Sequence, residues 1–234
     1  LTLSLRIIGV RDDGYHLLDA EMVSLDLADT LVFGPAGGSG DGDQSDVEVI
    51  PLVETLRFTP SLVTDALAAV GRKAFVRLEK RIPVGGGLGG GSADAAAVLR
   101  WAGRGDDVEL AASLGADVPF CLRGGRARVT GIGDVLEPLP HEPRTFTLFT
   151  PPLAVSTPAV YAQWDAMGGP TGGGPNDLEA AALAVEPRLA AWRDRFADVT
   201  SKTPVLAGSG STWFVEGAYP GEGRVVARTE PPEG

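Results

Sequence analysis

The chain has 234 residues, with 20 Lys and Arg against 31 Asp and Glu, a formal charge of −11; that length allows one large or two small domains with a real core. So acidic a chain is a poor nonspecific nucleic-acid binder, and an anionic ligand must be held by local amides and a few cationic side chains against the overall field. A single cysteine, Cys121, excludes an intramolecular disulfide framework and a CxxC metal knuckle, and two histidines, His16 and His141, argue against a His-rich zinc site.

Leu1, Leu3, Leu5 and Ile7 alternate with Thr2, Ser4 and Arg6, the period of a half-buried strand ending near Val10, before the turn chemistry of Arg11-Asp12-Asp13-Gly14. No basic stretch followed by an apolar one opens the chain, so no secretory signal and a cytoplasmic location are expected; Leu1 in place of Met leads to the expectation of a truncated start. Residues 22–33 alternate in part and read as strand, and 34–46 read as a polar, Gly-rich loop or hairpin tip. Ser61 to Val70 has helical spacing and Ala74 to Ile82 reads as a strand. Helices are expected over 92–101, with Ala95, Val98, Leu99 and Ala102 as the apolar stripe, and over 108–114, stopping at Gly115.

Residues 129–139 and 144–150 look like strands. The uncharged run 145–164 has the length of a membrane span, but Pro151, Pro152, Pro158 and several hydroxyls make it strand and turn, so no membrane partner is expected. A flexible insert over 167–175 precedes a long Ala-rich helical stretch, 176–196, with Asn176-Asp177 as N-cap and Glu179 completing a capping box. Strand, Gly loop and strand follow in 204–215. Antiparallel strands with interspersed helices favour an α+β chain divided near residues 140–150.

The sharpest local signal is Ile82-Pro83-Val84-Gly85-Gly86-Gly87-Leu88-Gly89-Gly90-Gly91-Ser92, six glycines in seven positions running into an Ala-rich helix. Glycines let backbone N–H groups turn around an anion, and a helix start adds unpaired donors and partial positive charge, so phosphate is the natural guest; Ser92 reads equally as the helix N-cap. A Walker A loop is excluded because no Gly-Lys-Ser/Thr follows. Gly85, Gly87 and Gly90 formally match the dinucleotide pattern GxGxxG, with Asp106 as the ribose acid, which keeps a nicotinamide-dependent oxidoreductase open. Against it, the preceding strand puts Val76, Leu78 and Ile82 on one side and Arg77, Glu79 and Arg81 on the other, whereas such a first strand is buried on both faces.

The loop, from Lys80-x-Ile82-Pro83 to Ser92-Ala93-Asp94-Ala95-Ala96, resembles that of the GHMP small-molecule kinases. Further matching segments stand in order: Gly9-x-Arg11-x-Asp13-Gly14-Tyr15-His16, Leu114-Gly115-Ala116-Asp117-Val118-Pro119-Phe120, Asn176-Asp177-Leu178-Glu179 and Gly208-Ser209-Gly210. The resemblance implies a two-domain α+β fold, with a ribosomal protein S5 domain 2-like N-terminal domain over 1–145 and a ferredoxin-like C-terminal domain over 146–234, as a monomer or homodimer. It implies phosphoryl transfer from ATP, with Mg²⁺, to an alcohol, and the longer motifs are similar to those of members whose substrate is a cytidine diphosphate-linked methylerythritol.

By the same resemblance Asp117 is the catalytic acid/base residue, and Pro83, Gly85, Gly86, Gly87, Leu88, Gly89, Gly90, Gly91 and Ser92 cradle the ATP phosphates. Tyr15 and Tyr161 sandwich the cytosine, His16 bonds its edge, and Thr157, Gly208, Ser209 and Gly210 contact substrate; no protein-held metal site is implied. On residue habits alone, Asp117 is a turn or cap residue and the tyrosines are ordinary half-buried packing. The family pattern opens with Ala-Lys-x-Asn-Leu; aligned back from Asp13, its Lys falls just before Leu1, its Asn is Thr2, and its second loop serine is Ala93. Alternatives are therefore an impaired or noncatalytic nucleotide-binding homologue, or a kinase of the same family for another small alcohol.

Overall fold

The computed structural model describes residues 1–36, 46–51, 61–171 and 173–232, so most of the Gly-rich loop expected over 34–46 lies outside the described residues. The strands are β1 (Thr2–Val10), β2 (His16–Val23), β3 (Thr30–Pro35), β4 (Asp46–Pro51), β5 (Ala74–Lys80), β6 (Arg126–Gly131), β7 (Val135–Leu139), β8 (Thr145–Phe149), β9 (Val205–Leu206), β10 (Trp213–Glu216) and β11 (Arg224–Arg228). The helices are α1 (Ser61–Ala69), α2 (Gly90–Trp101), α3 (Val108–Leu114), α4 (Val118–Arg123), α5 (Thr157–Ala166), α6 (Glu179–Val185) and α7 (Arg188–Thr200). Mixed helices and largely antiparallel sheets make this the expected α+β class.

The chain divides into two compact units. Unit 1 takes Leu1–Asp26, Gly85–Leu88 and Gly125–Gly234; unit 2 takes Leu27–Val84 and Gly89–Gly124. The division expected between residues 145 and 146 falls inside unit 1. Unit 1 holds two four-stranded sheets, ordered β1-β2-β6-β7 and β11-β8-β10-β9. Their shared core gathers Leu5, Ile7, Phe149, Trp164, Leu178, Leu189, Phe196, Leu206 and Trp213, tying both sheets to α5, α6 and α7. In unit 2 β5 is the centre of a three-stranded sheet, antiparallel to β3 and parallel to β4. Its Val76 and Leu78 pack with Ala95, Ala96, Val98 and Leu99 of α2 and with Val63, Ala66 and Leu67 of α1. Alanines on the inner face of α2 let that helix lie close to α1 and α4.

Four local differences from the sequence expectations have physical causes. The strand expected over 22–33 stops at Val23, because Ser24 N–H donates to Gly125 O, Asp26 N–H donates to Arg228 O, and Leu25 bridges Thr229. The strand expected over 129–139 is a hairpin: Gly131 and Gly133 take positive φ, and Asp134 Oδ1 accepts from Ile132 N–H in the turn. Residues 157–166 form α5 rather than strand and turn, started by Ser156, whose Oγ accepts from Ala159 N–H, with Pro158 in the first turn. The helical stretch expected over 176–196 is two helices, separated at Glu186-Pro187, where proline removes a ladder donor. Helix α4 and strand β11 had no sequence expectation.

The start of α2 rests on a buried ion cluster within unit 2. Lys80, Asp29 and Asp94 side chains are all at most 2% exposed. Lys80 Nζ donates to Asp29 Oδ2 and, at 2.9 Å, to Asp94 Oδ2. Asp29 Oδ1 also accepts from the N–H groups of Arg81 (2.6 Å) and Ile82 (2.9 Å), so one carboxylate fixes the exit of β5. A Cβ at Gly90 would stand 2.9 Å from Ile82 Cγ2 and 3.3 Å from Lys80 Nζ, which leaves room there for glycine alone. Burial pushes the Asp94 carboxyl up to about 7 against the pull of Lys80, with the Asp29 charge adding to the rise. Asp94 Oδ1 has no partner among the described residues, and a neutral carboxyl tolerates that better than a charged one.

Replacing Lys80 by Met strands two buried carboxylates and is expected to cost about 3–5 kcal/mol in urea unfolding; a loss below ~1 kcal/mol would show that the cluster does not hold the fold. Asp94 binds its proton more tightly folded (about 7) than unfolded (about 4), so the native state holds the extra proton between these values and stability falls as pH rises through them. Asn cannot titrate. From pH 5 to pH 8 the unsubstituted protein should therefore lose ~2 kcal/mol relative to Asp94→Asn, whereas parallel thermal-unfolding profiles would remove Asp94 as the cause.

Candidate active site

Helix α2 begins at Gly90, two residues before the expected N-cap: the cap is Gly89, in the left-handed conformation at φ 68°, with no side-chain acceptor. Ser92 therefore lies in the first turn. A residue with Cβ is strained at Gly89, so the chain enters the helix directly from the glycine run. The first backbone donor with an acceptor in this turn is Ala93 N–H, bonded to Gly89 O at 2.9 Å. Geometry denies the amides of Gly90, Gly91 and Ser92 an intrahelical partner, and no acidic residue occupies the first turn. An uncapped start with no carboxylate in its first turn is suited to phosphate oxygens.

Asp117 precedes α4 of the same unit and makes no side-chain capping bond. The residue as a whole is exposed, yet the protein mass around its carboxyl desolvates it and raises its pKa above the ordinary value. A crowded carboxylate on an exposed residue keeps the basicity a proton acceptor needs. One turn on, Cys121 N–H bonds Asp117 O at 3.0 Å, and Cys121 Sγ lies 4.0 Å from where a Gly89 Cβ would stand. Unit 2 thus brings the start of α4 beside the start of α2. Burial, with the Asp117 charge adding, pushes the Cys121 thiol up to about 12, so it is no nucleophile at neutral pH.

The earlier part of the glycine loop belongs to unit 1. Thr212 N–H donates to Gly86 O at 3.0 Å. Gly87, at φ 73°, has so little room that a Cβ would stand 2.5 Å from Ala207 O and 2.6 Å from Gly210 O. The two small-residue loops picked out by sequence, 85–91 and 208–210, therefore meet at Gly87. Gly85 and Leu88 belong to the same unit, and Pro83 follows the Asp29-fixed exit of β5 in unit 2.

The remaining site residues also lie in unit 1. His16, at the start of β2, bonds Asp165 of α5 through Nε2 at 2.8 Å, and its ring lies 4.8 Å from that of Tyr161 at 42°. Tyr15 sits on the β1–β2 turn, 59% exposed, with its carbonyl accepting from Arg11 N–H and its N–H bonded to Asp13 Oδ1. Structure thus brings His16 and Tyr161 together and leaves the Tyr15 ring in solvent. Thr157 Oγ1 and Ser209 Oγ are hydrogen-bonded at 2.7 Å.

Sequence reasoning missed Asp165, whose place one helical turn beyond Tyr161 is the signal that pairs it with His16. It also misread Asn176-Asp177. Leu178 occupies the N-cap of α6 without a side-chain capping bond, Asn176 Nδ2 donates to Leu206 O and Gly208 O, and the Asp177 carboxylate accepts from Ile7 N–H and Arg6. Among the described residues no helix is long and apolar enough to cross a membrane.

Comparison with known proteins agrees with this geometry. The family model for the GHMP kinases N terminal domain matches residues 61–125, which include the whole glycine loop and Asp117. The chain is 37% identical over 236 residues to the 4-diphosphocytidyl-2-C-methyl-D-erythritol kinase of Paracoccus denitrificans (strain Pd 1222), covering 92% of this chain and 83% of that protein. It is 37% identical over 250 residues to the enzyme of the same name from Ruegeria pomeroyi (strain ATCC 700808 / DSM 15171 / DSS-3), covering 95% and 87%. A crystal structure of 4-(cytidine 5'-diphospho)-2C-methyl-D-erythritol kinase matches with a TM-score of 0.72 at 30% identity, covering 98% of this chain and 96% of that one. Sharing more than a third of its residues along most of the length of these relatives, the chain belongs to the 4-diphosphocytidyl-2-C-methyl-D-erythritol kinase family of GHMP kinases.

Proposed function

We propose that the chain transfers the γ-phosphoryl group of ATP to the 2-hydroxyl of 4-diphosphocytidyl-2-C-methyl-D-erythritol, a step of the non-mevalonate route to isoprenoid precursors, in the cytoplasm. The observation that carries the reading beyond family membership is the pairing, within unit 2, of an uncapped glycine start on α2 with the raised carboxyl of Asp117. Phosphoryl transfer asks little covalent chemistry of a protein; it needs held phosphates, an aligned hydroxyl and a group to take its proton. Pro83 shapes the entry to the loop, Gly85 to Ser92 hold the triphosphate through backbone amides, and Asp117 takes the hydroxyl proton as the oxygen attacks the γ-phosphorus and ADP leaves. Magnesium, entering with the nucleotide, would supply neutralisation of the phosphate charge.

On the cytidine side, Tyr161 and Tyr15 offer stacking faces and His16 an edge contact. Asp165 at Nε2 orients the imidazole and leaves Nδ1 for the base. An exposed Tyr15 is a ring whose apolar area a ligand can still bury. Thr157, Gly208, Ser209 and Gly210 contact the polar body of the substrate. Residues 1–145 and 146–234 are proposed as the N- and C-terminal GHMP domains, as a monomer or homodimer.

The direct test is ADP release with ATP, Mg²⁺ and the cytidylyl substrate, for the chain as given and for one preceded by Ala-Lys-x. Substrate-dependent turnover in either supports the kinase, whereas binding without turnover in both identifies a noncatalytic nucleotide-binding homologue. Asp117→Asn should lower kcat by about 10²–10⁴ with KM for ATP nearly unchanged. The parent enzyme should show an acid limb above the ordinary carboxylate range, because the base must be ionised and its pKa is raised; that limb should be absent from the variant. Tyr161→Ala should raise KM for the cytidylyl substrate at least ~10-fold, about the worth of one stacked base, and leave KM for ATP alone; equal effects on both would sink the cytosine assignment.

A further inference from the structure

Asn176 is 5% exposed and uses every side-chain group it has. Nδ2 donates to Leu206 O at 2.8 Å and to Gly208 O at 2.7 Å, while Oδ1 accepts from Leu178 N–H at 2.9 Å. The backbone on either side of it is stitched to β1. Leu5 N–H donates to Pro175 O and Asp177 N–H donates to Leu5 O, both at 2.9 Å. The Asp177 carboxylate then accepts from Ile7 N–H at 3.0 Å and Arg6 Nη1 at 2.8 Å. The amide therefore projects from a fixed base.

The turn it grips leads on to the glycine loop. Gly210 N–H bonds Ala207 O and Ala207 N–H bonds Thr212 O, each at 2.9 Å, and Thr212 N–H bonds Gly86 O at 3.0 Å. The carbonyls of Ala207 and Gly210 are the two that press on Gly87. Ser209, between them, bonds Thr157. We propose that Asn176 is a positioning residue for the transfer: anchored on β1, it sets the 206–210 turn, and through that turn the 86–87 segment of the phosphate loop, so that the substrate-contacting turn and the phosphate loop keep one register. This rests on the kinase reading above.

The residue type follows from the geometry. Two carbonyl oxygens converge on one atom, which must carry two protons and no charge, and a neutral amide nitrogen meets both demands. Asn176→Asp keeps size and shape but turns acceptor lone pairs towards two acceptors. When the new carboxyl is protonated it donates to one of them again. Near-isosteric replacement therefore converts the positioning role into a pH-dependent one, which a residue that merely adds stability does not do. The charged groups around the position are Asp177 and Arg6 on the stitched segments and Glu179 on α6, itself paired with Arg193; all are present in parent and variants, so they cancel in a ratio.

The experiment measures kcat/KM of the parent, Asn176→Asp and Asn176→Ala from pH 5.5 to 8.5, in the form of the chain that turns over ATP with the cytidylyl substrate, with circular dichroism confirming folding. Misplacement of a loop by about 1 Å predicts a loss of ~30–100-fold for both variants at pH 8. On acidification the Asn176→Asp deficit should shrink at least ~5-fold relative to the parent, while the Asn176→Ala deficit stays constant. Values within about twofold of the parent for both variants, or a pH-independent Asn176→Asp deficit, overturn the proposal. Failure of both variants to fold also overturns it, in favour of a stitch that serves stability alone. A parent without turnover overturns the kinase reading itself, an outcome distinct from an active parent with insensitive variants.

Discussion

The backbone at Gly87 touches two carbonyl oxygens so closely that no side chain can exist there. Much of unit 1 is arranged around that approach. Ala207 and Gly210 offer the carbonyls, Thr212 grips the neighbouring Gly86, and Asn176 holds the turn from the other side. Three residues later the same glycine run opens α2 in unit 2. A stretch of six glycines is entropically expensive to order, so it must be fixed by something other than its own side chains. The Thr212 hydrogen bond to Gly86 and the close approach at Gly87 fix it before Leu88, and helix propagation fixes it after Gly89.

The charge problem is solved as locally as the geometry. A protein at −11 that binds a polyphosphate cannot rely on its overall field. Its anion site is an uncapped helix start, free of carboxylates in its first turn. The nearest buried cation, Lys80, is committed to Asp29 and Asp94 and makes a structural post rather than a phosphate ligand. Two carboxylates with one ammonium would leave a net negative charge beneath that helix start. Burial raises Asp94 towards neutrality, which reduces that excess charge beneath the helix start.

Where one residue's chemistry dominates a segment, the fold was legible in the sequence. The alternation of Val76 and Leu78 with Arg77 announced β5, which the structure buries on one face, and the glycines running into Ala95 and Ala96 announced α2. Legibility failed where long-range partners decide the outcome. Nothing local to 22–33 says that Arg228 and Thr229 will end its strand, and Ser92 looks like a cap until the left-handed glycine at 89 supplants it. The site behaved the same way. Its residue types were readable as motifs, but the Asp165 partner of His16 and the embrace of Leu206 and Gly208 by Asn176 depend on contacts spanning 149, 30 and 32 positions.

Asn176 and Lys80 represent two ways of holding a loop that must carry no side chains of its own. The ion cluster is strong but brings a desolvation cost and a titration near neutrality. The amide is weaker per bond, yet it is neutral at every physiological pH and directs two donors from one atom. The difference suits their positions. Lys80 braces the exit of β5 and the first turn of a helix, elements stiff enough to accept a pH-sensitive post. Asn176 braces a turn of Gly, Ser and Gly that joins the two-residue strand β9 to β10. There a change of charge would translate directly into displacement, and the Gly87 contact, at the limit of van der Waals approach, leaves no room to absorb it.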